Sequence, residues 1–353
     1  MIVTEYSEKN YKKMPDEGIQ KFSFYIVNEI AKIGNLYEIK NIKLKSQETT
    51  FKEFLFGRLL LGKKFSDPIR KINPDIIFYI PNPVRSLNFF QSWLLKLYSK
   101  NKAKIIIICL QPIREGFLLK KKIMKFFSPH LFFVQSLKEK KQLKELSCKV
   151  KLIPSGVDIE RFVPISKEIK LGLRKKYNFP LDKLFVLHVG SISKGRNVEI
   201  LKKIKELLEV EVILVASTTT FRDSNILNMF KGRGINVISD YLTEIQEIYQ
   251  MSDCYVFPVE NEGASIGMPL SILEAMACNL PVITTKFGCM PAFFKEDYCF
   301  KYIDKSDDII NRINEIKTIE IPNNREKVLS YSWINIARQI LSESLENREW
   351  KKS

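Results

Sequence analysis

Residues 256–288 have the sequence VFPVENEGASIGMPLSILEAMACNLPVITTKFG. A strand-like apolar run ends at Pro258, a loop containing glycines follows, and a segment rich in Leu and Ala leads into a second strand-like run. This order predicts a strand, a loop, a helix and a parallel strand, which is the unit of α/β proteins. Glu274 is the only charged residue between Pro269 and Cys278. A lone carboxylate on an apolar helix is costly to bury unless hydrogen-bond donors satisfy it.

This segment has two interpretations. The vicinal hydroxyls of a ribose would satisfy Glu274, and the preceding loop suits backbone amides and a helix N-terminus directed at a bound anion, because it contains Gly263, Gly267 and Pro269. The alternative is an Ala-rich packing helix whose glutamate reaches solvent. The helix by itself does not distinguish a nucleotide site from a structural element.

The same alternation of short apolar runs and helix-period segments continues through most of the chain. Strands are predicted at 74–81, 104–110, 131–135, 150–154, 183–190, 211–217, 235–239, 254–258 and 280–285. Helices are predicted at 20–33, 86–99, 117–127 and 136–146, and others lie between the later strands. This pattern indicates an α/β fold with two doubly wound domains, at 1–164 and 165–330, since a polar, lysine-rich stretch follows Pro164. Ligands of such sheets bind at the carboxyl ends of the strands.

The composition is that of a folded protein, with 353 residues of which 45% are hydrophobic and 27% charged. The formal net charge is +17, and its distribution is uneven. Residues 1–164 carry 31 basic and 15 acidic side chains, whereas residues 165–353 carry 26 and 25. A basic excess of this size points to nucleic acid, a membrane surface or a phosphorylated ligand. Any such partner is therefore expected on the first domain.

The six cysteines form no C-x-x-C pair, and most fall in or beside apolar runs. We interpret them as free buried thiols, which favours a reducing, cytoplasmic compartment. No apolar run reaches the ~18 to 20 residues of a membrane span, and the first residues lack the apolar core of a secretory signal. The sequence therefore predicts a protein that is neither secreted nor transmembrane.

A second informative segment is HVGSISKGRNVEIL at 188–201. A predicted strand ends in Gly190, and Lys194 and Arg196 precede a helix. The two cations and the N-terminus of that helix would form a binding site for a diphosphate. Solvated cations at such a turn are the alternative. The segment matches neither the P-loop pattern nor the dinucleotide-binding glycine pattern, so a P-loop NTPase and a dehydrogenase both lose support. No Asp-x-Asp triplet occurs, and no metal or other cofactor is expected.

Four stretches complete the pattern: IPSGVDIERFVP at 153–164, VISDYLTEIQEIYQMSDCYVFP at 237–258, LEAMACNLPVITTKFG at 273–288 and YSWINIARQIL at 331–341. In this order they resemble motifs of the retaining glycosyltransferases of group 1, family 4, and the resemblance covers most of the chain. It implies the GT-B fold, in which two Rossmann-like doubly wound domains face each other across a cleft. The first domain would bind the acceptor and the second a nucleotide diphosphate sugar. A C-terminal helix within 331–353 would return towards the first domain.

The resemblance places the donor ribose on Glu274 and the donor diphosphate on Lys194. The family's arginine after the strand-ending glycine is replaced by Ser191, and Arg196 is the candidate for the missing cation. The family's sugar-contacting glutamate is either Glu262, in a longer loop, or absent. The catalytic candidates are Glu262, Glu274 and Lys194. The donor-binding candidates are Gly190, Ser191, Lys194, Arg196, Tyr241, Gly267, Met268, Pro269, Leu270 and Glu274.

The acceptor side departs further from the family. Its glycine pair is reduced to Gly18, and the strand KIIIICL runs into Gln111 where the family has a histidine; Arg114 is a nearby acceptor-side candidate. His130 and His188 lie at the start of one predicted strand and inside another, so we expect structural roles for both. In the family's usual account the leaving phosphate accepts the acceptor proton, so the loss of this histidine weakens the catalytic prediction without cancelling it.

The segment GFLLKKKIMKFF at 116–127 sets Lys120, Lys121, Lys122 and Lys125 among large apolar residues, and FKEFLFGRLLLGKKF at 51–65 repeats the combination. This composition suits an anionic membrane interface, and it equally suits a surface helix with a solvated lysine face. We expect peripheral attachment at the cytoplasmic face of the cell membrane and a lipid-linked or glycan acceptor. No nucleic-acid partner is expected, because no recognised binding motif occurs. The alternative function is a GT-B scaffold that binds nucleotide or glycan without turnover.

Overall fold

The computed structural model describes residues 1–4, 17–36, 38–40, 56–57, 59–81, 85–114, 121–218, 223–305, 308–319 and 322–345. The contacts divide the chain into two units. The first consists of Met1–Pro15, Ile19–Pro154 and Ile334–Ser353, and the second of Asp16–Gly18 and Ser155–Trp333.

The first unit is built on a parallel six-stranded sheet with the order β2-β1-β3-β4-β5-β6. Its elements are β1 (Ile2–Thr4), α1 (Gly18–Ile33), β2 (Glu38–Lys40), α2 (Lys63–Ile72), β3 (Ile76–Ile80), α3 (Arg85–Tyr98), β4 (Lys104–Cys109), α4 (Lys121–Phe127), β5 (Leu131–Val134), α5 (Leu137–Glu145) and β6 (Val150–Leu152). The central strands are continuous runs of Ile, Phe and Val because helices cover both faces of a parallel sheet. Ile105, Ile107 and Ile108 are fully buried in β4.

The second unit has its own parallel six-stranded sheet, with the order β12-β11-β10-β7-β8-β9. Its helices and strands are α6 (Lys167–Lys176), β7 (Leu184–Gly190), α7 (Ile200–Leu207), β8 (Val210–Ala216), α8 (Ser224–Lys231), β9 (Asn236–Ile238), α9 (Ile245–Met251), β10 (Cys254–Phe257), α10 (Leu270–Ala277), β11 (Val282–Thr285), α11 (Met290–Phe293), β12 (Phe300–Ile303) and α12 (Ile309–Ile316). Short 3₁₀ turns cover Lys194–Arg196, Glu262–Ala264 and Glu326–Tyr331. Read from β9, this is the strand order of dinucleotide-binding Rossmann domains.

The last described helix is α13 (Trp333–Leu345), and from Ile334 onwards it groups with the first unit. The Lys104 ammonium at the start of β4 donates to the Leu345 carbonyl at 3.2 Å, and Lys151 pairs with Glu343 at 3.3 Å. Trp333 instead lies against Gly156, where any Cβ would collide with the indole ring. This explains why a glycine stands in the GVD stretch.

The sequence placed the boundary between the domains at residue 164, whereas the contacts place it at Pro154. Hydrogen bonds join the residues between these two positions to the second unit. Ser155 Oγ donates to the Met268 carbonyl at 2.8 Å, and the Arg325 guanidinium donates to the carbonyls of Ile159 and Phe162 at 2.9 and 2.7 Å. Residues 155–164 are therefore part of the second unit rather than the end of the first.

Candidate functional site

The second sheet has a ligand-binding edge between β7 and β10. The chain adds β8 and β9 on one side of β7, and then β10, β11 and β12 on the other. At such a reversal the connections run to opposite faces of the sheet and leave a crevice at the carboxyl ends of the two central strands. The loops that leave β7 and β10 are residues 191–199 and 258–269. Most of the predicted donor residues lie in these two loops or beside them.

Gly190 ends β7 and supports Arg196. A Cβ at position 190 would collide with Arg196 Nη1, so only glycine lets the guanidinium lie over this strand end. Burial lowers the pKa of Arg196, while the nearby Tyr255 and Glu17 act in the opposite direction. Ser191 follows Gly190 and is buried. The loop therefore presents a partly desolvated cation at the carboxyl end of the strand.

The loop after β10 is bonded to the same turn. Arg196 Nε donates to the Ala264 carbonyl at 3.1 Å, within the 3₁₀ turn that begins at Glu262. The Asn261 side chain caps this turn by accepting the Gly263 N–H at 2.9 Å. Burial raises the pKa of Cys289, and the Glu262 carboxylate adds a smaller contribution, as expected of neighbouring groups. Glu262 thus lies half-buried in an ordered extension of the loop.

Glu274 lies in α10 with 4% of its surface exposed, while its neighbours in the helix are apolar. Tyr249 of α9 donates its hydroxyl to Glu274 Oε2 at 2.8 Å. Burial raises the pKa of Tyr249 well above its usual value, and Glu274 reinforces the shift, so the phenol stays a donor. A carboxylate has about four acceptor positions, and the bond from Tyr249 occupies one of them and helps to fix the orientation of the group. The glutamate is therefore a buried, oriented hydroxyl acceptor and not a residue that reaches solvent.

The start of α10 is held from two sides. Met268 accepts the Ser155 hydroxyl at its carbonyl and the Ser155 N–H at its sulfur, at 2.8 and 3.2 Å. The Gly267 carbonyl accepts the Cys289 N–H at 3.0 Å, and Gly288 at φ +55° leaves room for that carbonyl. Among the described residues no side chain caps α10, whose N-cap residue is Pro269. Its first amides are available to an anion.

Comparisons with known proteins show which family the second unit resembles. Residues 184–317 match the family model described as "Glycosyl transferases group 1". The sulfoquinovosyl transferase SQD2 of Arabidopsis thaliana is 26% identical over 57% of this chain and 41% of its own length. The Escherichia coli UDP-Gal:alpha-D-GlcNAc-diphosphoundecaprenol alpha-1,3-galactosyltransferase is 27% identical over 54% of this chain and 52% of its own. The chain thus spans about half or less of the length of these relatives.

A solved structure extends the comparison to the whole chain. Anabaena Alr3699/HepE, in complex with UDP and glucose, superimposes with a TM-score of 0.69 at 15% identity, covering 98% of this chain and 99% of the other. The chain resembles the group 1 glycosyltransferases and has their GT-B fold. The predicted fold class, with two Rossmann-like parallel-sheet domains, is confirmed.

The remaining donor candidates lie around the same edge of this glycosyltransferase-like unit. Tyr241 follows β9 and is half-buried, and Leu270 is buried as the first residue of α10. Lys194 begins the 3₁₀ turn that contains Arg196, but its side chain lies outside the described residues. The donor-binding and catalytic roles of all these residues stay predictions.

The acceptor-side candidates lie in different places. Gly18 begins α1 but groups with the second unit, where a Cβ on it would contact the Ile266 side chain at 3.4 Å. Gln111 is half-buried just after β4, and Arg114 is exposed. Of the predicted membrane lysines, Lys120 lies outside the described residues, and so do the side chains of Lys121 and Lys122, whereas Lys125 is exposed on α4.

The two histidines lie where the sequence predicted, one at the start of a strand and the other inside a strand. His130 Nδ1 accepts the Ile105 N–H at 2.9 Å, which joins β4 to the start of β5. His188 is fully buried inside β7. All six cysteines are buried and free, as predicted. In the part of the chain that the structure covers, no His, Cys, Asp and Glu side chains cluster in a metal-binding group, and no helix has the length and hydrophobicity of a membrane span.

Sequence reasoning missed Tyr249, Ser155 and Gly288. Tyr249 carries a detectable signal, because a tyrosine on the apolar face of a helix needs a partner for its hydroxyl when it is buried. The partners of Ser155 and Gly288 are backbone atoms of residues 267 and 268, distant in sequence. No local pattern marks such contacts.

Proposed function

We propose that the protein is a retaining glycosyltransferase of family 4 that transfers a sugar from a nucleotide diphosphate sugar to an acceptor hydroxyl. The observation that carries the proposal is the buried Glu274 and the half-buried Arg196 at one sheet edge. Glu274 offers carboxylate oxygens to vicinal hydroxyls, and Arg196 offers guanidinium N–H groups to a diphosphate. The similar HepE structure contains UDP and glucose, which supports a donor of this class.

In the proposed reaction the acceptor oxygen attacks the anomeric carbon as the bond from that carbon to the diphosphate breaks. The acceptor proton passes to the leaving diphosphate oxygen on the same face of the sugar, so configuration is retained and no protein base is consumed. Arg196, Lys194 and the first amides of α10 stabilise the departing negative charge. Glu262 is the candidate contact for the donor sugar. The protein contributes position and electrostatics rather than a covalent step.

We further propose a lipid-linked or glycan acceptor, bound by the first unit at the cytoplasmic face of the membrane. The basic excess on residues 1–164 supports an anionic surface as partner. Phe126 of α4 is 72% exposed beside the exposed Lys125, which is an apolar and cationic combination suited to a membrane interface. The similar E. coli enzyme is named for a diphosphoundecaprenol-linked substrate, which supports an acceptor of this kind.

The decisive experiment is calorimetric titration of the wild-type chain with UDP, GDP and ADP, followed by assay of the matching nucleotide sugars. Glu274→Gln removes the charge but keeps the shape, and we expect about 100-fold weaker nucleotide binding. The matched control is Glu209→Gln, at an exposed glutamate directly before β8, on the opposite edge of the same sheet. Equal affinities in wild type and Glu274→Gln would contradict the site.

Product analysis by proton NMR then tests the stereochemistry, since retention requires the same anomeric configuration in donor and product. Tight nucleotide binding without transfer or donor hydrolysis, over a broad acceptor panel, would favour the non-catalytic scaffold. Absence of nucleotide binding by the wild-type chain would contradict the transferase and the nucleotide-binding scaffold, and would leave only a scaffold that binds glycan.

A further inference from the structure

His188 is a fully buried polar residue at the carboxyl end of β7, and the proposed mechanism gives it no role. Its Nδ1 lies 2.9 Å from the Val256 carbonyl oxygen on the adjacent strand. A carbonyl oxygen only accepts, so Nδ1 carries the proton and Nε2 presents a lone pair. Burial lowers the pKa of His188 to about 4, which keeps the ring neutral. The residue is therefore a fixed hydrogen-bond acceptor.

His188 Nε2 and Arg196 Nη1 both lie close to the position that a side chain on Gly190 would occupy. A Cβ built on Gly190 would lie 3.3 Å from His188 Nε2 and would collide with Arg196 Nη1. The two nitrogens thus flank the same small space, which exists because residue 190 has no side chain. Among the described residues Nε2 has no hydrogen-bond partner. A buried acceptor without a hydrogen bond lowers the stability of the folded chain, and a donor that reaches it relieves this cost.

Arg196 supplies the complementary donors. Its Nε donates to the Ala264 carbonyl, which leaves the two terminal nitrogens of the guanidinium for other acceptors. Glu17 acts on Arg196 electrostatically, but burial outweighs it and lowers the pKa of the guanidinium. A half-buried guanidinium is further stabilised by a bound anion, and its position at the carboxyl end of β7 is where such sheets bind phosphates.

We propose that His188 is a positioning residue for Arg196. When the donor diphosphate binds, Nε2 accepts one guanidinium N–H across the space above Gly190, and this contact directs the remaining N–H groups at the diphosphate. The inference rests on the proposed function, because it assumes that a nucleoside diphosphate binds at this edge. It adds to that function a hydrogen-bond acceptor, His188 Nε2, that fixes the orientation of the Arg196 guanidinium.

A purely structural role for His188 makes a different prediction. The imidazole stacks on Tyr255 with ring centroids 6.4 Å apart and an interplanar angle of 18°, and it lies 6.2 Å from the Phe257 ring. Phenylalanine at position 188 would keep this aromatic packing and remove both nitrogens. If His188 only fills the core, His188→Phe will leave phosphate recognition unchanged.

The test measures the affinity ratio between a nucleoside diphosphate and its monophosphate, using whichever of UDP, GDP or ADP the wild type binds tightest. We expect His188→Phe, Gly190→Ala and Arg196→Ala each to lower this ratio about tenfold or more, with monophosphate affinity unchanged. His188→Gln, which keeps a side-chain acceptor, should restore part of the ratio. Gly172→Ala is the matched control, because Gly172 lies in α6, outside the two loops of the site, and its Cβ would meet no described atom within 4 Å.

A double-mutant cycle shows whether His188 acts through Arg196. His188→Phe should have no further effect on the ratio in the Arg196→Ala background. An unchanged ratio in both His188→Phe and Gly190→Ala would overturn the inference while leaving the proposed function intact. If the wild type binds no nucleoside diphosphate, the proposed function itself fails. Gly190→Ala would collide with the flexible end of Arg196 and lie 3.3 Å from His188 Nε2, so it perturbs the same space even if His188→Phe does not fold.

Discussion

The two units have the same kind of sheet, but they carry their charge differently. The first unit holds most of the basic excess. On its helix α4, the described lysine side chain is that of Lys125, and it is exposed. Residues 165–353 are nearly neutral, yet this part of the chain contains the buried Glu274 and the half-buried Arg196 at one sheet edge. Exposed charges are screened by water and salt, whereas buried ones must be matched by specific partners. Net charge thus indicates where a protein meets a surface, and buried charge indicates where it recognises a ligand.

The largest expected difference between the units concerns backbone packing. Gly288→Ala in the second unit places a Cβ on the Gly267 carbonyl at a positive φ, so we expect a loss of about 3 kcal/mol or more in unfolding free energy. Gly34→Ala after α1 meets no described atom within 4 Å and should change stability by less than about 1 kcal/mol. Urea unfolding of both variants is the measurement. Similar losses in both would refute the idea that the backbone before α10 is tightly packed.

The next largest effect is the loss of unfolding free energy at acid pH, which we expect from His188 in the second unit. Since the pKa of His188 falls to about 4 in the folded chain, its contribution to stability is complete above pH 6.5 and is lost as the pH falls towards 4. The expected loss is about 2 kcal/mol between pH 7 and pH 5. Urea unfolding at these two pH values should show this loss in the wild type and a smaller one in His188→Phe. An equal loss in both proteins would show that another group causes it.

Two tyrosines allow a smaller comparison of the units. Tyr249→Phe removes the donor to a buried carboxylate and should cost about 2 kcal/mol, with about tenfold weaker nucleotide binding. Tyr98→Phe in the first unit removes a bond of 3.1 Å to the Leu60 carbonyl, which is partly buried, and should cost about 1 kcal/mol or less. Thermal unfolding and calorimetric titration measure both effects. Nucleotide binding that is unaffected by Tyr249→Phe would mean that Glu274 does not need this orientation.

The smallest effect on stability is expected at the exposed surface of the first unit. Phe126→Ser on α4 should change the unfolding free energy by less than about 0.5 kcal/mol, because the ring is mostly in solvent. The same substitution should nevertheless lower the fraction of protein that is recovered with floating vesicles that contain anionic lipid. Exposed Leu207→Ser in the second unit is the control and should leave recovery unchanged. Equal wild-type recovery with neutral and anionic vesicles would remove the membrane proposal.

Much of the fold was predictable because strand and helix periodicity are local. All nine predicted strands are present, and the strand at 104–110, for example, is observed at Lys104–Cys109. The strands that were missed are β1, β2 and β12. The first two have only three residues each, and β12 interrupts its apolar residues with a lysine, so none shows a long apolar run.

The candidate site was predictable in part. Gly190, Arg196 and Glu274 stand out because a strand-ending glycine, a cation before a helix and a lone carboxylate on an apolar helix are visible in the sequence. Their partners are not visible. Tyr249 orients Glu274 from a different helix, and His188 and Arg196 both lie beside Gly190.

The sequence by itself determined the class of fold, the resemblance to group 1 glycosyltransferases and the residue types available for binding a donor. Only the tertiary structure decided that β7 and β10 are neighbours, and therefore that the loops after them share one edge. It also decided that residues 155–164 belong to the second unit. The physical reason is that periodicity and turn chemistry act over a few residues, whereas strand order and the burial of Glu274 and Arg196 depend on contacts between segments far apart in the chain.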